Sequence, residues 1–271
     1  VYDFLSYGDG ILMSSYGGGF IDYYKPDEPL SKTNPLPVAA LHEAANQERP
    51  VQLTLGPDGN IYAPTFPIKG YLGGTLVRIT PQSWKVKIYR DLIHNQSFTS
   101  VVSVPQTGEL FVTSTIHGGS SSKPTEKAAW VFLWNPKTEK IDFKDQPIPG
   151  AISYSKAAIG ANGLIYGFAG TRYYVFNPVT RQTVLTGDLP GYTKDNPGHE
   201  PLLSDGPASD GLIYGIDRDL GNLFAINPQT CKITQLAHDE SMVTANFCQT
   251  DPDGYLYYNN GASLLRVKVV K

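Results

Sequence analysis

An all-β fold of six repeated antiparallel units is what this 271-residue sequence predicts, and three observations predict it. Glycine (27), proline (21) and tyrosine (17) are abundant while methionine (2) is scarce, which favours short strands and tight turns over long helices. A turn followed by a short apolar strand recurs as Gly8-Asp9-Gly10-Ile11-Leu12, Pro57-Asp58-Gly59-Asn60-Ile61-Tyr62, Gln106-Thr107-Gly108-Glu109-Leu110-Phe111, Ala161-Asn162-Gly163-Leu164-Ile165-Tyr166, Ser209-Asp210-Gly211-Leu212-Ile213-Tyr214 and Pro252-Asp253-Gly254-Tyr255-Leu256-Tyr257, with Gly10, Gly59, Gly108, Gly163, Gly211 and Gly254 each 43 to 55 residues from the next. An apolar strand closing on a proline turn falls once in each of the first five units: Tyr24-Lys25-Pro26, Ile79-Thr80-Pro81, Trp134-Asn135-Pro136, Phe176-Asn177-Pro178 and Ile226-Asn227-Pro228.

Asp-Gly and Asn-Gly pairs supply the positive φ angles of two-residue hairpins, so each first marker joins one strand to the next. Proline presets φ for a type I turn and cannot donate to a continuing ladder. Each unit therefore holds four strands; in the second they are expected at Val51 to Leu55, Ile61 to Thr65, Thr75 to Ile79 and Lys85 to Tyr89. Runs such as Leu164-Ile165-Tyr166-Gly167-Phe168 suit sheets covered on both faces. Four-stranded antiparallel units of about 40 to 50 residues, repeated six times, are the signature of a β-propeller, whose radial packing leaves only short edges. Solenoid coils are shorter, and sandwiches have no reason to repeat one turn so regularly. One propeller domain over residues 1–271 is expected, with blades at about 1–37, 50–92, 97–148, 151–188, 202–238 and 244–271.

These units resemble the blades of the broad superfamily of extracellular-type propellers, whose repeats read D-G-x-I-Y, then an apolar strand and a proline turn. The resemblance covers nearly the whole chain and implies the fold and an extracellular setting, whereas such blades serve enzymes, lectins and scaffolds alike. The sixth unit ends at Ser263 to Val270, read as its third strand. The ring then closes on a three-stranded blade, or residues of a further chain complete it; a seven-bladed domain with part missing is the second choice. Starting at Val1, without an initiator methionine or a leader, the chain reads as a processed mature form or a fragment.

Composition excludes several function classes. With 22 basic and 25 acidic residues, a net charge of -3 supplies no field for nucleic acid or anionic lipid. Hydrophobic residues at 41% and charged ones at 17% exclude a disordered chain. No apolar run approaches the roughly 18 residues of a membrane span, so no membrane insertion is expected. Cys231 and Cys248 read as buried thiols, separated by three strand spacings of about 14 Å, too far for a disulfide.

Function is expected at one end of the sheets. First-to-second and third-to-fourth connections share an end and are short; second-to-third and blade-to-blade connections share the other and are long. The long ones are 117–125, 187–201 (with Tyr192, Lys194, His199 and Glu200) and 27–50, in which Val38 to Gln47 reads as a short helix. All five histidines (His42, His94, His117, His199 and His238) map there. Ligand-binding candidates at this end are Arg49, Lys69, Tyr71, Gln96, Lys156, His199 and Arg218, since loops on a rigid scaffold are the usual place for binding groups. His94, His117, Tyr154 and Arg172 are the candidate catalytic set: imidazole and phenol move protons, while Arg172 or Lys156 holds a carboxylate and steadies charge beside it. That chemistry serves β-elimination at a uronic acid, and the set is similar in kind to the His, Tyr and Arg sets of propeller polysaccharide lyases such as ulvan lyases and rhamnose-glucuronate lyases. The likeness is one of residue type and face.

No catalytic metal is expected, because no acidic or cysteine ligand accompanies His94 and His117. Asp217, Asp219 and Asn222 leave room for a structural calcium without the full EF-hand spacing. Gly17-Gly18-Gly19 and Gly73-Gly74 open no helix and lack a following Gly-Lys-Ser/Thr. The expected partner is an oligosaccharide or small-molecule ligand in a loop-rich axial funnel, bound or cleaved; the alternative is a non-catalytic interaction propeller or lectin. Tyrosine abundance suits sugar recognition.

Overall fold

Five of the six repeated turns place glycine where a side chain would be strained: Gly59, Gly108, Gly163, Gly211 and Gly254 have φ between 71° and 81°. In the first repeat Gly8 takes that role (φ 59°) and Gly10 already opens the next strand. A computed structural model describes residues 2–192 and 199–270. It is an all-β, six-bladed propeller fold whose residues divide into two compact units, 1–146 and 147–271. No helix among the described residues is long and apolar enough to cross a membrane.

The first unit holds three blades. Blade one consists of Asp3–Tyr7, Gly10–Ser15, Phe20–Tyr24 and Leu36–Ala40, followed by the one-turn helix Leu41–Ala45. In blade two, Gln47–Pro50 and Thr54–Leu55 both pair with Ile61–Pro67, which is followed by Thr75–Thr80 and Lys85–Arg90. Blade three is Ser97–Val104, Glu109–Thr115, Val131–Asn135 and Lys140–Asp145. Neighbouring strands are antiparallel and sequential, as the hairpin markers require.

Two boundaries depart from expectation. The fourth strand of blade one does not follow Pro26 but waits until Leu36, so much of 27–50 lies within blade one instead of between blades. Asn34 holds the intervening loop: its Nδ2 donates to the carbonyls of Lys25 and Glu28 at 2.9 Å each, and its Oδ1 accepts from the Lys25 amide at 2.9 Å. The first strand of blade two is split because its middle residues bond sideways. The Leu53 amide donates to Asp3 Oδ2 at 2.7 Å, and Gln52 Oε1 accepts from the Val101 amide at 2.9 Å. The first strands of all three blades in this unit are thereby tied together.

Alternation along each strand feeds two cores. Ile61, Val77 and Ile79 pack with Leu12, Ile21 and Tyr23, whereas their neighbours Tyr62 and Leu76 pack with Phe98, Val112, Phe132 and Trp134. Both sheet faces are buried, hence the continuous apolar runs.

At the turn end, Glu139 (φ 55°) reaches from blade three to blade two. Its carboxylate accepts from Arg78 Nη1 at 3.0 Å and Tyr89 Oη at 2.8 Å, and it pairs with Lys87. The hydrogen bonds from Lys87 and then Tyr89 hold its carboxyl below the usual glutamate range. A carboxyl whose folded value is depressed contributes stability that is complete above its unfolded value, about 4.3, and is lost as pH falls through the folded one. Glu139→Gln should therefore flatten the acid limb of a melting-temperature curve recorded from about pH 6 to pH 3. An unaltered slope would show that the clasp contributes nothing.

The second unit repeats the plan with shorter first strands. Blade four is Ala158–Ile159, Ile165–Ala169, Arg172–Asn177 and Gln182–Asp188; blade five is Leu202–Leu203, Ile213–Asp217, Asn222–Asn227 and Lys232–His238. Blade six has three strands, Cys248–Thr250, Tyr255–Asn260 and Ser263–Lys268. Both cysteines are free. Burial pushes the Cys248 thiol up to about 12, whereas Cys231, expected to be buried, is half-exposed with Sγ 3.5 Å from Tyr166 Oη.

Candidate functional site

In the first unit the long connections converge. The loop after Gly10–Ser15 accepts the helix start, with the Leu41 and His42 amides donating to Gly19 and Gly18 carbonyls at 3.1 Å each. The 68–74 and 117–122 loops are laced by Gly70 N–H to Ser120 O (2.9 Å) and Gly119 N–H to Tyr71 O (3.0 Å). Gly119 is required for that approach: a Cβ there would lie 1.9 Å from the Ile68 carbonyl oxygen. Arg90 ties the end of its strand to the helix through the Ala44 and Ala45 carbonyls at 2.7 and 3.0 Å. His94, His117, Lys69 and Tyr71 are all exposed at this end. A cleft of about 130 Å³ opens here, lined by Gln47, Tyr71, Thr75, Arg90 and Asp91 among others.

A repeated clamp fixes the strand ends beneath these loops. In blade two, Gln47 Oε1 accepts from Thr65 Oγ1 (2.7 Å), Gln47 Nε2 donates to Gly73 O (3.2 Å), and Thr65 Oγ1 accepts from the Thr75 amide (2.8 Å). In blade three, Gln96 Oε1 accepts from Ser114 Oγ (2.6 Å), Gln96 Nε2 donates to Ala128 O (2.9 Å), and Ser114 Oγ accepts from the Trp130 amide (3.0 Å). Gln96, expected to bind ligand, is 1% exposed with both ends of its amide engaged by protein; it belongs to the scaffold. The clamp escaped sequence reasoning, yet a signal exists: Gln47 and Gln96, like Thr65 and Ser114, stand at the same interval as Gly59 and Gly108.

Beside the clamp, the ladder between Gln47–Pro50 and Ile61–Pro67 slips between Gln47 and Arg49, leaving Glu48 as an extra residue. Bulges of this kind re-aim side chains. Adjacent residues of a regular strand point apart, but here Arg49 Nη2 lies 3.3 Å from Glu48 Oε1, with the two side chains 25% and 12% exposed. The Arg49 guanidinium sits 5.8 Å from the Tyr16 ring centroid, and Tyr16 meets Tyr2 edge to face at 6.3 Å. Burial raises the Tyr2 phenol above its ordinary range, against the pull of Arg49, so Tyr2 stays a neutral donor near pH 7. Of these four residues only Arg49 was expected.

The second unit treats its candidates differently. Tyr154 is fully buried; its hydroxyl donates to the Ile148 carbonyl (2.9 Å) and accepts from the Ile148 amide (3.2 Å), so it offers no oxygen to solvent. Its expected role as an acid or base does not fit that setting. Lys156 pairs with Asp205. Arg172 is exposed, with Nε 3.5 Å from Asp188 Oδ1. His199 Nδ1 lies 2.7 Å from Asp219 Oδ1 and is largely exposed; Arg218 is half-buried. Lys194 lies outside the described residues.

In the loop considered for calcium, Asp217 Oδ1 accepts from Tyr192 Oη (2.6 Å) and from the Asp219 and Leu220 amides (3.1 and 3.3 Å). Asn222 Oδ1 accepts from Gln235 Nε2 at 3.0 Å. Those bonds are what an ordinary polar turn makes. Among the described residues no group of three or more His, Cys, Asp or Glu could hold a metal ion.

No family model matches the sequence, and no curated protein matches it. Solved structures do match in fold. A catalytically inactive histidine-to-alanine variant of virginiamycin B lyase from Staphylococcus aureus, with quinupristin, is 12% identical over 100% of this chain and 82% of that one, with a TM-score of 0.69. The Cps50 β-propeller domain of Myceliophteria thermophila is 11% identical over 99% and 83%, TM-score 0.62. A Bacteroides caccae protein of unknown function is 12% identical over 95% and 89%, TM-score 0.56. At such identities the likeness carries the fold alone.

Proposed function

We propose that the protein is an extracellular carbohydrate-binding propeller that takes an oligosaccharide at the loop-bearing end of its first unit. One observation carries this reading: Tyr2 and Tyr16, 41% and 60% exposed, stand edge to face beside a half-buried arginine. Tyrosine rings pack on the C–H-rich faces of pyranoses while their hydroxyls stay available for hydrogen bonds. Lys69, Tyr71, His94 and His117 on neighbouring loops supply further polar contacts. Calorimetric titration with a panel of neutral and acidic oligosaccharides tests it. At least one glycan should bind, and Tyr16→Ala should weaken that binding about tenfold. A panel in which nothing binds would refute it.

Cleavage by β-elimination is the second reading. It is favoured by the exposed imidazoles of His94 and His117 at this end. The proton-moving groups are then His94 and His117 without Tyr154, and the carboxylate-holding group is Arg49 of the same unit. A rise in ultraviolet absorbance from an unsaturated product is the expected readout, with His117→Ala slower by about a hundredfold or more. Absence of any rise with every glycan that binds would remove this reading and leave a lectin.

A further inference from the structure

Resting on the saccharide-binding reading, we infer that the site selects a sugar unit bearing a carboxylate, that Arg49 reads the carboxylate, and that Glu48 is the positioning residue that holds Arg49. The bulge brings the two side chains together. Without the extra residue at Glu48, the side chains at 48 and 49 would leave the strand on opposite faces; with it they meet at 3.3 Å. A bulge that serves only to bend a strand has no need of an ion pair between consecutive residues that is mostly shielded from water.

The guanidinium is fixed on two sides, by the Glu48 carboxylate and by the Tyr16 ring 5.8 Å away. It nevertheless keeps donors open. Its Nε–H is enclosed by protein, and the donor a ligand can reach is Nη1, which makes no hydrogen bond among the described residues. A guanidinium N–H that is free on the solvent side gives a carboxylate oxygen a charge-assisted hydrogen bond. An acceptor oxygen is therefore what the site lacks. Glu48 also decides which anion fits, because a phosphate monoester, nearly doubly charged, would meet it as a like charge more severely than a singly charged carboxylate would. Tyr2 and Tyr16 flank the arginine with exposed ring surface, which places the sugar ring next to its acidic substituent.

The test uses oligoglucuronate and the same glycan with its carboxyls reduced to alcohols, titrated into the whole protein. The wild type should bind the acidic form about tenfold more tightly. Arg49→Gln should bind both forms alike, at the affinity the wild type has for the reduced form. Glu48→Ala should lose the preference while keeping affinity for the reduced form, and Glu48→Gln, which still accepts a hydrogen bond, should restore it. That pattern separates positioning from a general loss of structure. The two-glycan comparison on the wild type needs no variant and so does not depend on variant folding. Equal affinity for the two forms, or a preference that survives Arg49→Gln, overturns the inference and leaves the saccharide reading standing. A sulfated glycan without carboxyl groups that competes as well as the uronate overturns the assignment to carboxylates. Failure of every glycan to bind overturns both.

Discussion

Replacing Gln96 by alanine is expected to lower the unfolding free energy by about 3 kcal/mol, the combined effect of a buried cavity and lost polar partners. The side chain is 1% exposed and bridges two strands and a loop: its oxygen accepts from Ser114, and its nitrogen donates to the Ala128 carbonyl. Removing it takes the donor from Ala128 O. Ser114 keeps a partner, because its hydroxyl also lies 2.6 Å from the Trp130 carbonyl, so the loss stays short of a complete network failure. Gln47, 3% exposed in the equivalent clamp of blade two, should behave alike. Urea denaturation followed by circular dichroism measures both, as a drop in midpoint at constant slope. A loss under about 1 kcal/mol in either variant would show that the clamps are incidental.

Tyr154→Phe is expected to cost about 2 kcal/mol of stability and to leave glycan affinity unchanged. The ring would still stack edge to face on Tyr174 at 5.6 Å. What disappears is the hydroxyl that closes the 148–154 loop. The Ile148 carbonyl retains the Ala151 amide as donor at 3.1 Å, while the Ile148 amide, buried, loses its acceptor. One orphaned N–H sets the magnitude. A variant as stable as wild type but unable to act on a glycan would reverse the assignment and return Tyr154 to the catalytic set.

Much of the fold was legible because its determinants are local. A hairpin needs a positive φ at a fixed place, and Gly59, Gly108, Gly163, Gly211 and Gly254 announce it in sequence. The three-stranded sixth blade followed from counting strands after Gly254. Features set by side chains distant in sequence were not legible. Nothing near Pro26 shows that Asn34 will bridge three backbone groups and delay the fourth strand. The break in the first strand of blade two depends on Asp3, 50 residues away.

The candidate site divides along the same line. Topology alone assigns His94 and His117 to the loop-bearing end, and they lie there exposed. Whether a polar residue at that end faces water or a buried partner is another matter. Gln96 and Tyr154 look like surface candidates in sequence, and Ser114 and Ile148 hold them inside. The meeting of Glu48 and Arg49 depends on a bulge that Gln47-Glu48-Arg49-Pro50 does not advertise.

The most direct test of the ligand site is hydrogen–deuterium exchange of the protein with and without the best-binding glycan. Binding at the loop-bearing end of the first unit predicts slowed exchange at 16–19, 47–50, 68–74 and 117–122. Slowed exchange confined to the opposite turns, at 57–60 and 105–108, would contradict it.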